Sequence, residues 1–289
     1  MKFTLNDFLT TYPDRQSCLK EVMSLKPPCC GEYYFLKKRP VAICKTCKKH
    51  FSVLKGTIFE KSSTPLTSWF YAIYMMTKTR TGVSAKQLQR EIGVTYKTAW
   101  RMMHLIRSVM KPSDKPLRGT VEVDETFVGG KSKNRANYWY ASLDKEKSVL
   151  LGMVSRGGEV KVKHVPNIGR RTLLKEIESH VAKGNQIYSD HYLGYTALPQ
   201  YGYKHRWVNH KWQFVQGDTH TQNIENFWSH LKRGITGTYR AVSKKHLQKY
   251  ADEYAFRYNH RRLEGAMFFV LLNLAVRPRE DSPSSLKDL

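Results

Sequence analysis

A chain of 289 residues with a 40% hydrophobic fraction can bury a sizeable core and carry one or two small modules beside it, which excludes a disordered tail. Its 49 Lys and Arg stand against 24 Asp and Glu, a net charge of +25, and a compact state so charged repels itself unless a polyanion is bound. The excess is spread along the chain rather than gathered in one tail, which favours nucleic acid over an acidic membrane surface. No apolar run is long enough to span a bilayer and no basic-then-apolar signal opens the chain. A soluble intracellular protein is therefore expected, in a bacterial cytoplasm or nucleoid, or in a nucleus.

The first block, residues 1–62, holds all five cysteines: Cys18, Cys29, Cys30, Cys44 and Cys47. An odd, clustered set argues for a local metal site rather than a disulfide framework. Cys44-Lys45-Thr46-Cys47 has the two-residue spacing that lets two thiolates reach one zinc. Its partner pair, Cys29-Cys30, is adjacent instead of spaced, with Pro27 where the spaced cysteine would sit. The expected zinc ligands are Cys30, Cys44 and Cys47, with Cys29, Cys18 or His50 as the fourth; the alternative is a decayed ribbon that holds its small β fold without metal. The surrounding KKRPVAICKTCKKHFSVLKG is strongly basic, as phosphate contact requires.

Residues 63–115 read as helical. LTSWFYAIYMMTKTR is followed by SAKQLQREIGV and YKTAWRMMHLIRSVM, and the last two have the form of a helix-turn-helix. Leu88 and Ile92 face inward on the first helix, Gly93 permits the tight turn, and Ala99, Met102, Met103 and Ile106 face inward on the second. Tyr96, Lys97, Thr98 and Arg101 are then offered to a DNA groove, although an ordinary helical hairpin shares the same periodicity. The breaker-rich KPSDKPLRG closes the block.

The third block, 116–270, opens with the strand TVEVDETFVGG. YWYASLD, SVLLGMVSRGGEVKVKHV, the helix TLLKEIESHVAKG and the strand QIYSD follow, then an aromatic, His-rich loop region and the helices TQNIENFWSHLKRGI and KKHLQKYADEYAFRYNHRR. Strands and helices in that order indicate an α/β or α+β layer architecture; residues 271–289 are set apart as a C-terminal tail, whose last stretch RPREDSPSSLKDL reads as polar. Asp124 and Asp190 each end a short apolar run, so they converge if the two strands are neighbours in one sheet. Glu225 projects from a helix whose buried face is Ile224, Phe227, Trp228 and Leu231. Three such carboxylates suit magnesium, and two ions there would serve an in-line phosphoryl displacement. Strand-end aspartates are also common without function. Lys232, two helical turns beyond Glu225, faces the same ligand. His191, His210, His220 and His230 surround the acids in sequence.

The ordered segments CKTCKKHFSVLKGTIFEKSSTPL, LQREIGVTYKTAWRMMHLIR, VEVDETFVGGK, SDHYLGY, HTQNIENFWSHLKRGITGTY and FRYNHR resemble the DDE transposases of the Merlin superfamily and their bacterial insertion-sequence relatives, from about residue 27 to 262. The resemblance implies an α/β RNase H-like catalytic domain preceded by a zinc-ribbon-like and a helix-turn-helix module, with two magnesium or manganese ions. Asp124 and Asp190 are implied as the first two catalytic acids. For the third, relatives differ between Asn and Glu, and both Asn223 and Glu225 are present. Glu225 is preferred because thirty-four residues separate it from Asp190, which resembles the usual interval, and because it places Lys232, with Arg233, in the basic position. The implied activity is cleavage and joining of DNA at terminal inverted repeats by a homodimer or higher oligomer assembled on DNA. Two alternatives remain: a DNA-binding protein derived from a transposase but no longer catalytic, and a metal-dependent DNA nuclease that does not join ends.

Overall fold

The structure is a computed structural model that describes residues 3–26, 30, 32–36, 40–129, 147–208, 220–263 and 265–277. Cys29, Gly130, YWYASLD and His210 of the expectations above lie outside the described residues. The chain divides into two compact units, residues 1–110 with 261–289, and residues 111–260.

In the first unit, α1 (Leu5–Thr11) and α2 (Arg15–Leu25) each start on a capping box, Thr4 with Asp7 and Asp14 with Ser17. A small antiparallel sheet follows in the order β1 (Tyr33–Phe35), β2 (Val41–Cys44), β3 (His50–Ser52). Three helices match the expected helical block: α3 (Leu66–Lys78), α4 (Ala85–Ile92) and α5 (Tyr96–Ser108). Gly93 ends α4 in the left-handed region at φ 66°, which a side chain would strain. Ser84 and Thr95 cap α4 and α5.

A boundary at 270/271 was expected, with a C-terminal tail beyond. Instead an unbroken helix, Met267–Val276, runs across that position and belongs to the first unit. Its sequence MFFVLLNLAV is apolar nearly all round, so it must be buried rather than trail in solvent. Phe268 is fully buried and lies within 6.5 Å, ring to ring, of Phe8, Tyr12, Phe70 and Tyr74. The rest of the expected tail, 278–289, lies outside the described residues.

In the second unit the described residues form a mixed five-stranded sheet in the order β6-β5-β4-β7-β8. The strands are β4 (Thr120–Val128), β5 (Ser148–Ser155), β6 (Val160–Val165), β7 (Gln186–Asp190) and β8 (Lys204–Val208). The first three form an antiparallel meander, while β4, β7 and β8 run parallel. The period-2 alternation of β5 feeds two cores. Val149, Leu151 and Met153 pack with α6 (Arg170–His180) through Leu173, Leu174 and Ile177. Leu150 and Val154 pack on the opposite face with α7 (Gln222–Gly234) and α8 (Leu247–Asn259) through Ile224, Phe227, Trp228 and Ala251. Burial on both faces explains why SVLLGMVS reads as one apolar run.

β8 was expected as loop, because KHRWV lacks apolar alternation: it is an edge strand with exposed Lys204, Arg206 and Trp207. The other edge, β6, is covered by carboxamides of α8. Gln248 accepts from His164 N at 2.7 Å and donates to Val162 O at 2.9 Å; Asn259 accepts from Val160 N at 2.7 Å and donates to Val160 O at 3.0 Å. These two side chains stand in for a further strand and satisfy an edge that would otherwise template aggregation.

Candidate active site

The parallel pairing of β4 with β7 sets Val121 beside Ile187 and Glu122 beside Tyr188, and two residues further along both strands stand Asp124 and Asp190. Two positions is one full pleat, so both acids share the face on which Glu122 lies. That face receives α7, which carries Glu225 in its first turn. The structure thus brings the middle of β4, the end of β7 and the start of α7 to one face of the sheet, although some 35 to 100 residues of chain separate the acids.

Asp124 is anchored by an unexpected donor. Trp228, one turn after Glu225, donates its Nε1–H to Asp124 Oδ2 at 2.9 Å. The indole fits because Gly152 lies opposite Asp124 in the β4/β5 register. A Cβ at Gly152 would sit 2.5 Å from Trp228 Cζ2 and 2.6 Å from Ile224 Cδ1, so a side chain there would force Trp228 and Ile224 to shift. Trp228 was expected to be core, and it is 4% exposed, but its polar edge also orients an acid. Nothing in its helical spacing distinguished those roles.

A second buried carboxylate on β4, Glu122, fastens α7 to the sheet. It is fully buried and accepts from Asn223 N at 2.9 Å, Ile224 N at 3.2 Å and Asn223 Nδ2 at 2.7 Å. Those backbone donors are among the amides that a helix start leaves without intrahelical acceptors, and an anion there is favoured by the helix dipole. Arg156 closes the cluster: its Nε lies 2.9 Å from Glu122 Oε1, it donates to His220 O at 3.0 Å, and its guanidinium lies 4.6 Å over the Tyr188 ring. His220 Nδ1 is 3.4 Å from the same carboxylate. Asn223, one of the two candidates for the third acid's place, therefore has its amide turned to Glu122. Glu225 is exposed, and Thr221 Oγ1 donates to its Oε1 at 2.8 Å.

The acids crowd one another electrostatically. Burial, then the charges of Glu125 and Asp190, push Asp124 up to about 7 against partial relief from Trp228. Glu125 is also raised, chiefly by burial, while Tyr195 O–H donates to its Oε2 at 2.5 Å. Partly buried oxygen donors held against their own repulsion fit a hard divalent cation such as magnesium or manganese.

The cysteines form a separate group in the first unit. The sulfurs of Cys30, Cys44 and Cys47 all lie within 4.8 Å of one another, with Cys30 Sγ 4.0 Å from Cys44 Sγ. Tetrahedral zinc with Zn–S of about 2.3 Å needs sulfurs about 3.8 Å apart, so this donor set fits zinc. Among the described residues no other three His, Cys, Asp or Glu ligand atoms approach one another so closely. Cys18, buried on α2, and His50, on β3, are not in the group. Asp124, Asp190 and Glu225 do not approach one another as a trio to that distance.

The expected groove-facing residues divide. Tyr96 is 49% exposed and Lys97 is exposed, whereas Thr98 bonds to the cap residue Thr95 and Arg101 is half-buried. Lys232 and Arg233 are exposed on the last turn of α7, with Arg233 Nε donating to Ser229 O at 3.2 Å. His191 and His230 are exposed. No helix among the described residues is long and apolar enough to cross a membrane.

Residues 116–259 match the ISXO2-like transposase domain. An uncharacterized protein in transposable element ISH50 of Halobacterium salinarum is 28% identical over 232 residues, 74% of this chain and 77% of that protein. An uncharacterized transposase-like protein of Haemophilus influenzae is 30% identical over 96 residues, 33% of this chain and 77% of that protein. Among solved structures, a chain from a simian T-cell lymphotropic virus intasome in complex with the PP2A regulatory subunit B56 gamma matches 70% of this chain and 74% of its own length. It is 14% identical with a TM-score of 0.33.

Proposed function

We propose, from the premise that this chain belongs to the ISXO2-like transposase family, that it cuts and joins DNA at the terminal inverted repeats of its element. Asp124, Asp190 and Glu225 hold two magnesium or manganese ions. The observation that carries this reading is that Asp124, midway along β4, and Asp190, at the end of the neighbouring β7, share the sheet face that receives the helix bearing Glu225. When bound, two such ions activate the attacking oxygen and stabilise the leaving oxygen of an in-line displacement. The protein's share is placement. Trp228 orients Asp124, Thr221 orients Glu225, and Glu122 holds the helix start at the sheet. Glu225 is the third acid in preference to Asn223, whose side chain is engaged with Glu122.

In this reading the second unit is RNase H-like, α4 and α5 act as a helix-turn-helix presenting Tyr96, Lys97, Thr98 and Arg101, and Lys232 with Arg233 contacts phosphates near the site. At least two copies assemble on DNA, because two element ends must be handled together, and the protein works inside the cell.

The test is nicking of a duplex carrying the element's terminal repeat. With magnesium, wild type should leave a free 3′-hydroxyl. Given a pre-cut end with that hydroxyl, it should insert the end into plasmid DNA, and EDTA should abolish both steps. Binding without nicking under any divalent metal would remove the enzymatic reading, and nicking without insertion would make the protein a nuclease.

Zinc in the first unit is proposed on Cys30, Cys44 and Cys47. Purified protein should carry about one zinc per chain by elemental analysis, and Cys44→Ser should carry none. Wild type purified without zinc and unable to take it up would overturn the assignment.

A further inference from the structure

We propose that Arg206, with Lys204 one pleat behind it, seats the DNA strand by its phosphates beside the reacting bond, an inference that rests on the cleavage activity proposed above. The placement follows from strand register. Parallel pairing of β7 with β8 sets Lys204 beside Gln186, Arg206 beside Tyr188 and Val208 beside Asp190. Paired residues share a face and every second residue returns to it, so Lys204 and Arg206 stand on the face that carries Asp124 and Asp190. With paired strands about 4.8 Å apart and about 3.3 Å of rise per residue, the Cα of Arg206 is about 8 Å from that of Asp190. That is about two to three nucleotides along one DNA strand, at about 3.4 Å each.

Charge pairing singles these two residues out. The row that crosses β4, β7 and β8 holds Glu122, Tyr188 and Arg206. Arg156 lies over the Tyr188 ring in that row, but its charge is matched by Glu122 at 2.9 Å. Lys204 and Arg206 are exposed, and among the described residues neither side chain makes a hydrogen bond or an ion pair. Two unmatched cations about 6.6 Å apart, on a face that otherwise gathers acids, favour a polyanion running past those acids. Cations on an edge strand also discourage pairing with another chain, yet either face would serve that purpose. Here the opposite face of β8 carries His205 and Trp207, so both cations are on the side of the acids. Arg206 stands in the row where α7 begins, whereas Lys232 and Arg233 are on the last turn of that helix. Phosphate contacts are thus offered from a strand near the start of α7 as well as from its end.

The experiment measures binding of a terminal-repeat duplex over a range of salt concentrations, in calcium, whose looser coordination should seat the DNA without cutting it. Each phosphate contact contributes about 0.9 to the slope of log affinity against log salt. Arg206→Ala should lower that slope by about 1, and the double variant with Lys204→Ala by about 2. Arg206→Lys keeps the charge and should restore the slope. Lys175→Ala is the control: it removes one exposed charge from α6, which packs on the opposite face, and should leave the slope unchanged. A duplex series with one neutral methylphosphonate linkage at a time then locates the phosphate. Within about three nucleotides of the cleaved bond, one linkage should weaken wild type as much as Arg206→Ala does, and weaken that variant no further. A slope for Arg206→Ala equal to that of wild type would overturn the inference. So would a fall in slope matched by Lys175→Ala, which marks a general effect of net charge, or the lack of any such linkage. Failure of wild type to nick in magnesium would instead strike the proposed function.

Discussion

Replacing Asp124 with Asn is expected to slow strand cleavage by at least about a thousandfold, and yet to raise the melting temperature of the metal-free protein at pH 8. The rate loss follows from removing a ligand to ions that supply several kcal/mol of transition-state stabilisation, each 1.36 kcal/mol being tenfold. The stability gain follows from burial. Asp124 is held at about 7 in the fold against an ordinary value of 3.8. Between about pH 4 and pH 7 the folded chain therefore keeps a proton that the unfolded chain releases. Folding stability falls as pH rises through that window, and above it the full cost of the buried charge is present. Asn has no such charge, while its amide oxygen can still accept from Trp228 Nε1. The variant should be more stable than wild type by about 2–4 kcal/mol at pH 8, and equal to it at pH 4. Adding magnesium at pH 8 should stabilise wild type and leave the variant unmoved. Thermal melts at the two pH values, with and without magnesium, decide the matter. A variant that melts lower than wild type at pH 8, or that still nicks the terminal repeat, would show that Asp124 is not a charge-strained metal ligand.

Some of this arrangement was readable in the residues and some was not, for physical reasons. QIYSD and the helix from Gln222 announce themselves by period, so Asp190 at a strand end and Glu225 on a polar helix face were both visible. Asp124 was visible as the first polar residue after VEV. Glu122 was not, because one acid in an alternating strand looks the same whether it faces water or caps a helix a hundred residues later. The partners that make its burial tolerable, Arg156 and the amides of Asn223 and Ile224, arrive through tertiary contact alone. Gly152 gave no signal either, since the need for a hydrogen at its Cα arises only when Trp228 packs across from Asp124. β8 was missed for a related reason: an edge strand with one buried face position satisfies its backbone against β7 and needs no apolar alternation of its own. The helix Met267–Val276 carried an unmistakable apolar pattern, but its place with the N-terminal helices is a long-range fact that no local period encodes.

Glu122→Ala should be the most damaging single change away from the three acids, costing about 3–5 kcal/mol of stability and slowing cleavage by about a hundredfold. The stability figure is that for breaking a buried charge pair, because Arg156 would be left beside Tyr188 without its carboxylate. The amides of Asn223 and Ile224 would lose their acceptor as well. The rate figure rests on position. Glu122 touches no substrate, but it sets where α7 begins, and Glu225 and Trp228 lie one and two turns beyond that start. A displacement of 1 Å at a reacting centre costs about a hundredfold. Glu122→Gln separates the two effects. Its amide keeps one oxygen to accept from the helix amides while losing the charge that pairs Arg156, so it should recover part of the stability. A helix held in place should recover more of the rate than one adrift. Urea denaturation gives the first quantity. For the second, cleavage rate and the magnesium concentration for half-maximal rate should be measured together, at temperatures where every variant is folded. A positioning role predicts that Glu122→Ala raises the magnesium requirement along with the rate loss, because the start of α7, which carries Glu225, is no longer fixed to β4. If Glu122→Ala, kept folded, retained the wild-type rate and magnesium requirement, then the helix start would not depend on Glu122, and the placement of Glu225 would have to come from Trp228 and Thr221 alone.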